Sequence, residues 1–253
     1  MSVVEYELEG KIAFIRFNRP ERLNAFSAEM VQATADAFER FRADKDAWVA
    51  ILTGNGRAFS AGRDLKMEVS QGRMDISKDS VSPSPFDLVQ TEKPVIAAVH
   101  GYAIGAGFYL VLGCDMRIAG TSTKFGMGEI PTGLLGPYWL SAAESLPWAV
   151  AMELTLIGDQ ISAEKALELH LVNEVVPDDE VIATARRWAE RLIALPPVQV
   201  RRTKAMMTAM RRVPDKQLLS WEFRERMFLN ALDDTKEAAL AWVEKRQPVF
   251  NGS

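Results

Sequence analysis

The stretch Val95-Ile96-Ala97-Ala98-Val99-His100-Gly101-Tyr102-Ala103-Ile104-Gly105-Ala106-Gly107 carries the fold of this chain. Its first five residues are apolar without polar alternation, the pattern of a strand buried on both faces in a parallel sheet. The run ends in Gly105-Ala106-Gly107, three residues almost without side chains, and continues from Phe108 to Cys114 as an apolar helical stretch closed by Asp115. Two earlier runs have the same character. Lys11 to Phe17 mixes β-branched and aromatic residues and stops at Asn18-Arg19-Pro20, and Trp48 to Thr53 stops at Gly54-Asn55-Gly56. Between them Ser27 is placed to cap a helix, with Glu29 in its first turn and Met30, Thr34, Ala37, Phe38 and Phe41 on one face. Strands alternating with helices, without tight hairpin turns, predict an α/β fold on a mainly parallel sheet covered on its faces.

The 253 residues, 48% of them hydrophobic, are enough for one large domain with a sizeable core. With Lys+Arg 30 against Asp+Glu 34 the chain has no basic excess, so neither nucleic acid nor an anionic membrane is an expected partner. One cysteine and two histidines leave little material for a metal site, and none is expected. The N-terminus reads as no signal peptide and no run of eighteen apolar residues is present, so the expected location is the cytoplasm. Cys114, on an apolar helix face, reads as an inert core thiol, and His100, at a buried strand end, as structural.

Residues Glu68 to Glu92, rich in Ser, Asp, Gly and Pro, show no periodicity and are the expected substrate-shaping loop. After Pro177 the pattern turns helical. Asp178 is placed to cap a helix to Leu195, Pro196-Pro197 breaks it, and helical stretches follow over Val198 to Arg211 and Gln217 to Arg246. The expected organisation is a core over 1–195 and a helical region over 196–253.

A second small-residue turn, Ala61-Gly62-Arg63, lies in Phe59-Ser60-Ala61-Gly62-Arg63-Asp64-Leu65. Each turn follows an apolar stretch and precedes a segment able to begin as a helix, so each can aim backbone N–H groups outward at developing negative charge. Taken singly, both turns read as ordinary strand-to-helix connections, with small residues for close packing. Neither contains a dinucleotide GxGxxG fingerprint nor a GxxxxGK[ST] phosphate loop.

Together with the rest of the chain these turns resemble the crotonase family, the enoyl-CoA hydratases and isomerases. The resemblance rests on Asn18-Arg19-Pro20-Glu21-Arg22-Leu23-Asn24-Ala25, the Phe59 to Leu65 turn, Lys93 to Gly101, Cys114-Asp115, and the tail Trp242-Val243-Glu244-Lys245-Arg246. It implies a spiral of β-β-α units, a trimer or hexamer built through the helical C-terminal region, and an acyl-CoA thioester as substrate, coenzyme A entering as part of that substrate. Carried over by position, the backbone amides of Arg63 and Ala106 hold the thioester oxygen. Arg22, Leu23, Ala61, Asp64 and Leu65 line the coenzyme path, and Trp242 and Lys245 reach the coenzyme from a neighbouring subunit. A fixed donor of this kind is worth about 3–4 kcal/mol, and the proton needs another group. Glu129, in Phe125-Gly126-Met127-Gly128-Glu129-Ile130, matches a catalytic carboxylate, and its largely uncharged surroundings favour a raised pKa.

Two departures from the family pattern matter. Hydratases of the family carry a second carboxylate where this chain has Tyr109, which reads as an aromatic wall of the acyl pocket with a hydroxyl donor as the alternative. One carboxylate suffices for a 1,3-proton shift, so enoyl-CoA isomerisation by Glu129 is the leading expectation and hydration with Tyr109 in the second role the next. The other departure is Leu134 to Leu140, about two residues shorter than in many relatives, which brings Tyr138 and Trp139 to the mouth of the site. Tyr138 is also the proton donor expected for a decarboxylase, and an acyl-CoA binder without chemistry is the reading outside enzymes.

Overall fold

A computed structural model describes residues 2–70, 88–134, 139–195, 197–211, 227, 231 and 233–249. The strands run β1 (Val4–Glu9), β2 (Ile12–Phe17), β3 (Val49–Gly54), β4 (Val95–Val99), β5 (Tyr102–Ile104), β6 (Met116–Gly120), β7 (Lys124–Gly126), β8 (Gln160–Ser162) and β9 (Glu174–Val176). The helices are α1 (Ala28–Ala43), α2 (Leu65–Ser70), α3 (Ala106–Gly113), α4 (Trp139–Ser145), α5 (Trp148–Leu156), α6 (Ala163–Glu168), α7 (Val181–Ile193), α8 (Pro197–Arg211) and α9 (Asp233–Glu244). Six strands form one sheet in the order β1-β2-β3-β4-β6-β9, and β5-β7-β8 form a second of three.

From β2 to β9 the large sheet is parallel, and every residue of β3 and β4 is buried. Alternation along each strand divides the core in two. Ala13, Ile15, Phe17, Ala50, Leu52, Ala97 and Val99 join the core that holds α1 and α3. Ile12, Phe14, Val49, Ile51, Ile96 and Ala98 meet Val181, Ala185 and Ala189 of α7 in another. This is the covered sheet that the unalternating apolar runs predict.

Helix α1 forms where its pattern places it. Ser27 accepts a hydrogen bond from the Met30 N–H at 3.2 Å, and Met30, Thr34, Ala37, Phe38 and Phe41 are its buried residues. Two expectations are corrected. A tight hairpin is present, because β1 pairs antiparallel with β2 through Gly10-Lys11; β1 escapes a reading by burial since it lies at the sheet edge with only Val4 buried. Asp178 does not cap α7. Its carboxylate accepts the Ser122 N–H at 3.0 Å, residues 178–180 form a tight turn, and the helix starts at Val181 with no side-chain cap.

Of the expected elements in the C-terminal region, α8 and α9 are described, and most of the Glu68 to Glu92 loop lies outside the described residues. Helix α9 packs on α2 and on the turn at 130–132, and Thr235, Ala239 and Ala241 are buried along it.

Candidate active site

The two small-residue turns meet. The link is the parallel bridge between Ser60 and Ala103, made by hydrogen bonds from Ser60 N–H to the Tyr102 carbonyl (2.8 Å) and from Ile104 N–H to the Ser60 carbonyl (3.0 Å). This strand-like pairing runs β5 alongside the entry to the first turn and sets Gly62 against Gly105. A Cβ on Gly62 would lie 2.7 Å from the Ile104 carbonyl oxygen and 3.6 Å from the Gly105 Cα.

Both glycines are demanded by backbone as well as by space. Gly62 has φ 85°, and Gly105 has φ 51° and ψ −121°, a combination almost closed to any residue with a Cβ. The residues that follow them, Arg63 and Ala106, are therefore brought to neighbouring positions. Arg63 bridges Phe26 in parallel: Phe26 N–H bonds the Gly62 carbonyl, and Asp64 N–H bonds the Phe26 carbonyl. Because flanking residues make those bonds, the N–H of Arg63 itself points to the opposite side. Ala106 opens α3, so helix geometry gives its N–H no acceptor within the helix.

The first turn is braced by residues that the sequence reading passed over. The Ser60 hydroxyl donates to the Asn24 carbonyl at 2.8 Å and accepts the Gly62 N–H at 3.2 Å. Asn24 is wholly buried, and its side-chain amide donates to the carbonyls of Asn55 (2.9 Å) and Ala58 (2.8 Å). The available signal was a pair of polar residues inside otherwise apolar segments. Asp64 is buried and paired with Arg19 at 3.1 Å, and its other oxygen accepts the Met67 N–H at the start of α2. Its side chain is thus committed to holding the turn. Leu23 reaches the same place through its carbonyl, which accepts the Ala61 N–H at 2.9 Å, while Arg22 is exposed beside it.

Glu129 follows β7, whose pairing with β5 carries it toward the second turn. A Cβ on Gly105 would lie 2.9 Å from Glu129 Oε1, so the carboxyl group rests on that glycine. Its Oε2 is buried and has no hydrogen-bond partner among the described residues. Burial is the main reason its pKa is pushed up to about 7, and hydrogen bonds from its own backbone and from Tyr109 oppose the rise. Tyr109 is one helical turn beyond Gly105, its N–H bonded to the Gly105 carbonyl at 3.0 Å, and it is 2% exposed. Its hydroxyl faces Glu129, which makes it more than an apolar wall.

Trp139 opens α4, which packs on α3; Tyr138 lies outside the described residues. Trp242 and Lys245, expected to act on a neighbouring subunit, sit at the end of α9 and are exposed, and α9 packs on its own chain beside the Glu129 turn. The His100 ring bonds the Gly56 carbonyl at 2.9 Å, and the Cys114 thiol is buried with its pKa pushed up to about 12 by desolvation. No helix among the described residues is long and apolar enough to cross a membrane.

Residues 7–253 match the family model described as enoyl-CoA hydratase/isomerase. The chain is 34% identical to an (E)-benzylidenesuccinyl-CoA hydratase of Thauera aromatica, with 99% of each chain covered. It is 33% identical to a carnitinyl-CoA dehydratase of Salmonella heidelberg, with 96% of each covered. A solved carnitinyl-CoA hydratase from Mycobacterium avium superposes over 100% of both chains with TM-score 0.88 at 33% identity.

Proposed function

The chain belongs to the enoyl-CoA hydratase/isomerase family, with the crotonase fold of its structural neighbours, and from that premise we propose that it moves a proton on an acyl-CoA thioester. Arg63 and Ala106 amides hold the thioester oxygen. The Glu129 carboxylate takes a proton from C2 of a 3-enoyl thioester, the C–H electron pair spreads onto the held oxygen as a dienolate, and the same proton returns at C4 to give the 2-enoyl thioester. The observation that carries this reading is the juxtaposition of Glu129 with Gly105: a buried carboxyl group with an unpartnered oxygen stands against the turn that offers the amides. A pKa of about 7 gives a base that is both partly ionised and strong enough to be useful at neutral pH.

Arg22, Leu23, Ala61, Asp64 and Leu65 line the coenzyme path in this reading, Asp64 through its backbone, with Trp242 and Lys245 reaching the coenzyme bound to a neighbouring subunit. The chain works as a homotrimer or hexamer built through the region from residue 196. The exposed apolar stripe of Trp148, Met152, Leu156 and Ile157 on and just past α5 supports association, which light scattering measures directly.

A second reading is hydration, favoured because the relatives are named hydratases and a dehydratase. A panel of 2-enoyl- and 3-enoyl-CoA substrates separates the two. Isomerisation without 3-hydroxyacyl-CoA product supports the first reading, and hydroxyacyl product as the main outcome replaces it with the second. Carbon dioxide release from malonyl-type thioesters, the reaction in which Tyr138 serves, would displace both.

A further inference from the structure

Where the family's hydratases place a second carboxylate, this chain buries a phenol against the first. Tyr109 is 2% exposed, it is fixed by α3 one turn after Gly105, and Gly105 is the residue on which Glu129 Oε1 rests. A buried hydroxyl requires a partner, and the Glu129 carboxyl supplies it. The arrangement leaves the carboxyl group asymmetric, because Oε2 has no partner among the described residues.

We propose that Tyr109 is a positioning residue: its hydroxyl holds the Glu129 carboxyl group in one orientation and stabilises its charged form, leaving Oε2 to take and return the substrate proton. The inference rests on the reading of Glu129 as the proton carrier. A phenol suits this post better than a carboxylate would in a one-base reaction. It is neutral at the working pH, so it donates a hydrogen bond to the charged base without the like-charge repulsion that separates the two pKa values of a carboxylate pair.

The charges on neighbouring elements are few. Helix α3 has no charged side chain. The facing turn brings Arg63 and α2 brings Lys66, while Asp64 is turned to Arg19. On α9, Asp233 pairs with Lys236 and Glu237 with Arg246, and Glu244 also bonds Arg246. None of these charges enters among the causes that displace Glu129, which are burial, its backbone hydrogen bond and Tyr109.

The test is the pH profile of kcat/KM for a short 3-enoyl-CoA, measured for the wild type, Tyr109→Phe and Glu129→Gln. The wild-type acid limb is expected near the Glu129 pKa of about 7, because the free base must be ionised. Tyr109→Phe removes a hydrogen bond to the charged form, so the limb moves up by about 1 unit. An unmoved limb overturns the proposal while Glu129→Gln, inactive, upholds the reading beneath it. If Glu129→Gln isomerises at the wild-type rate, that reading fails and the proposal falls with it. Should Tyr109→Phe misfold, replacing the four tyrosines with 3-fluorotyrosine keeps the packing and makes a stronger donor. The limb then moves down, and a fixed limb again overturns the proposal.

Discussion

Asp64 follows the first of the paired turns and Glu129 rests on the second, and the surroundings of these two carboxylates differ in kind. Asp64 has an arginine on one oxygen and a backbone amide on the other. Glu129 has a phenol and an oxygen without a partner. The first arrangement satisfies a buried charge and fixes the turn that presents Arg63. The second leaves a buried charge only partly satisfied, which costs stability and suits the base of the proposed reaction. Satisfaction of hydrogen bonds, more than burial, separates the structural acid from the one proposed to carry the proton.

The largest expected effect tests the chemical side. Glu129→Gln should lower turnover by about 10²–10⁴-fold, the usual contribution of a positioned acid or base, with acyl-CoA affinity retained and the thermal midpoint at neutral pH raised rather than lowered. A parallel loss of folding would erase the contrast with Asp64. On the structural side, Asp64→Ala takes the carboxylate from the partly buried Arg19 guanidinium, which keeps only its bond to the Ala25 carbonyl, and urea denaturation should show a loss of about 3 kcal/mol.

The pH dependence of stability sharpens the same contrast. Glu129 has a folded pKa of about 7 against an ordinary 4.5, so its contribution is fully present below pH 4.5 and lost as pH rises toward 7. The wild type should therefore lose about 3 kcal/mol across that window relative to Glu129→Gln. Equal pH dependence of the two proteins in denaturant melts would show that the carboxyl group is not buried as described.

Smaller effects belong to the frame. Gly105→Ala forces a Cβ into a glycine-only conformation and against Glu129 Oε1, costing about 1–3 kcal/mol by thermal unfolding and lowering turnover by displacing the base. Ser60→Ala strips the Gly62 amide and the Asn24 carbonyl of their shared hydroxyl. Its expected cost is about 1 kcal/mol, and a cost of zero would mean that Asn24 alone holds the turn.

What was legible followed from strength of pattern. Strands β2, β3 and β4 and helix α1 have long apolar runs or a full stripe of five buried residues, so periodicity finds them. Strands β5, β7 and β8 are three residues each, too short for any period, and β1 alternates at an edge where little is buried. The two glycine turns announced themselves by composition. Their meeting did not, since it depends on the Ser60–Ala103 bridge between segments forty-odd residues apart in sequence. Glu129 was singled out by family position, whereas the Ser60, Asn24 and Arg19 supports act through contacts that a one-dimensional pattern does not display.

Helix α9 gives the site a place in time as well as in space. It packs beside the Glu129 turn, yet residues 233–244 leave the ribosome after both turns, Tyr109 and Glu129 have been made. The turns, Glu129 and Tyr109 can settle against the parallel sheet during synthesis, when domains generally begin to fold, but the helix that packs beside them arrives last. A chain stalled before residue 233 would leave α2 and the 130–132 turn without the helix that packs on them, open to other nascent chains.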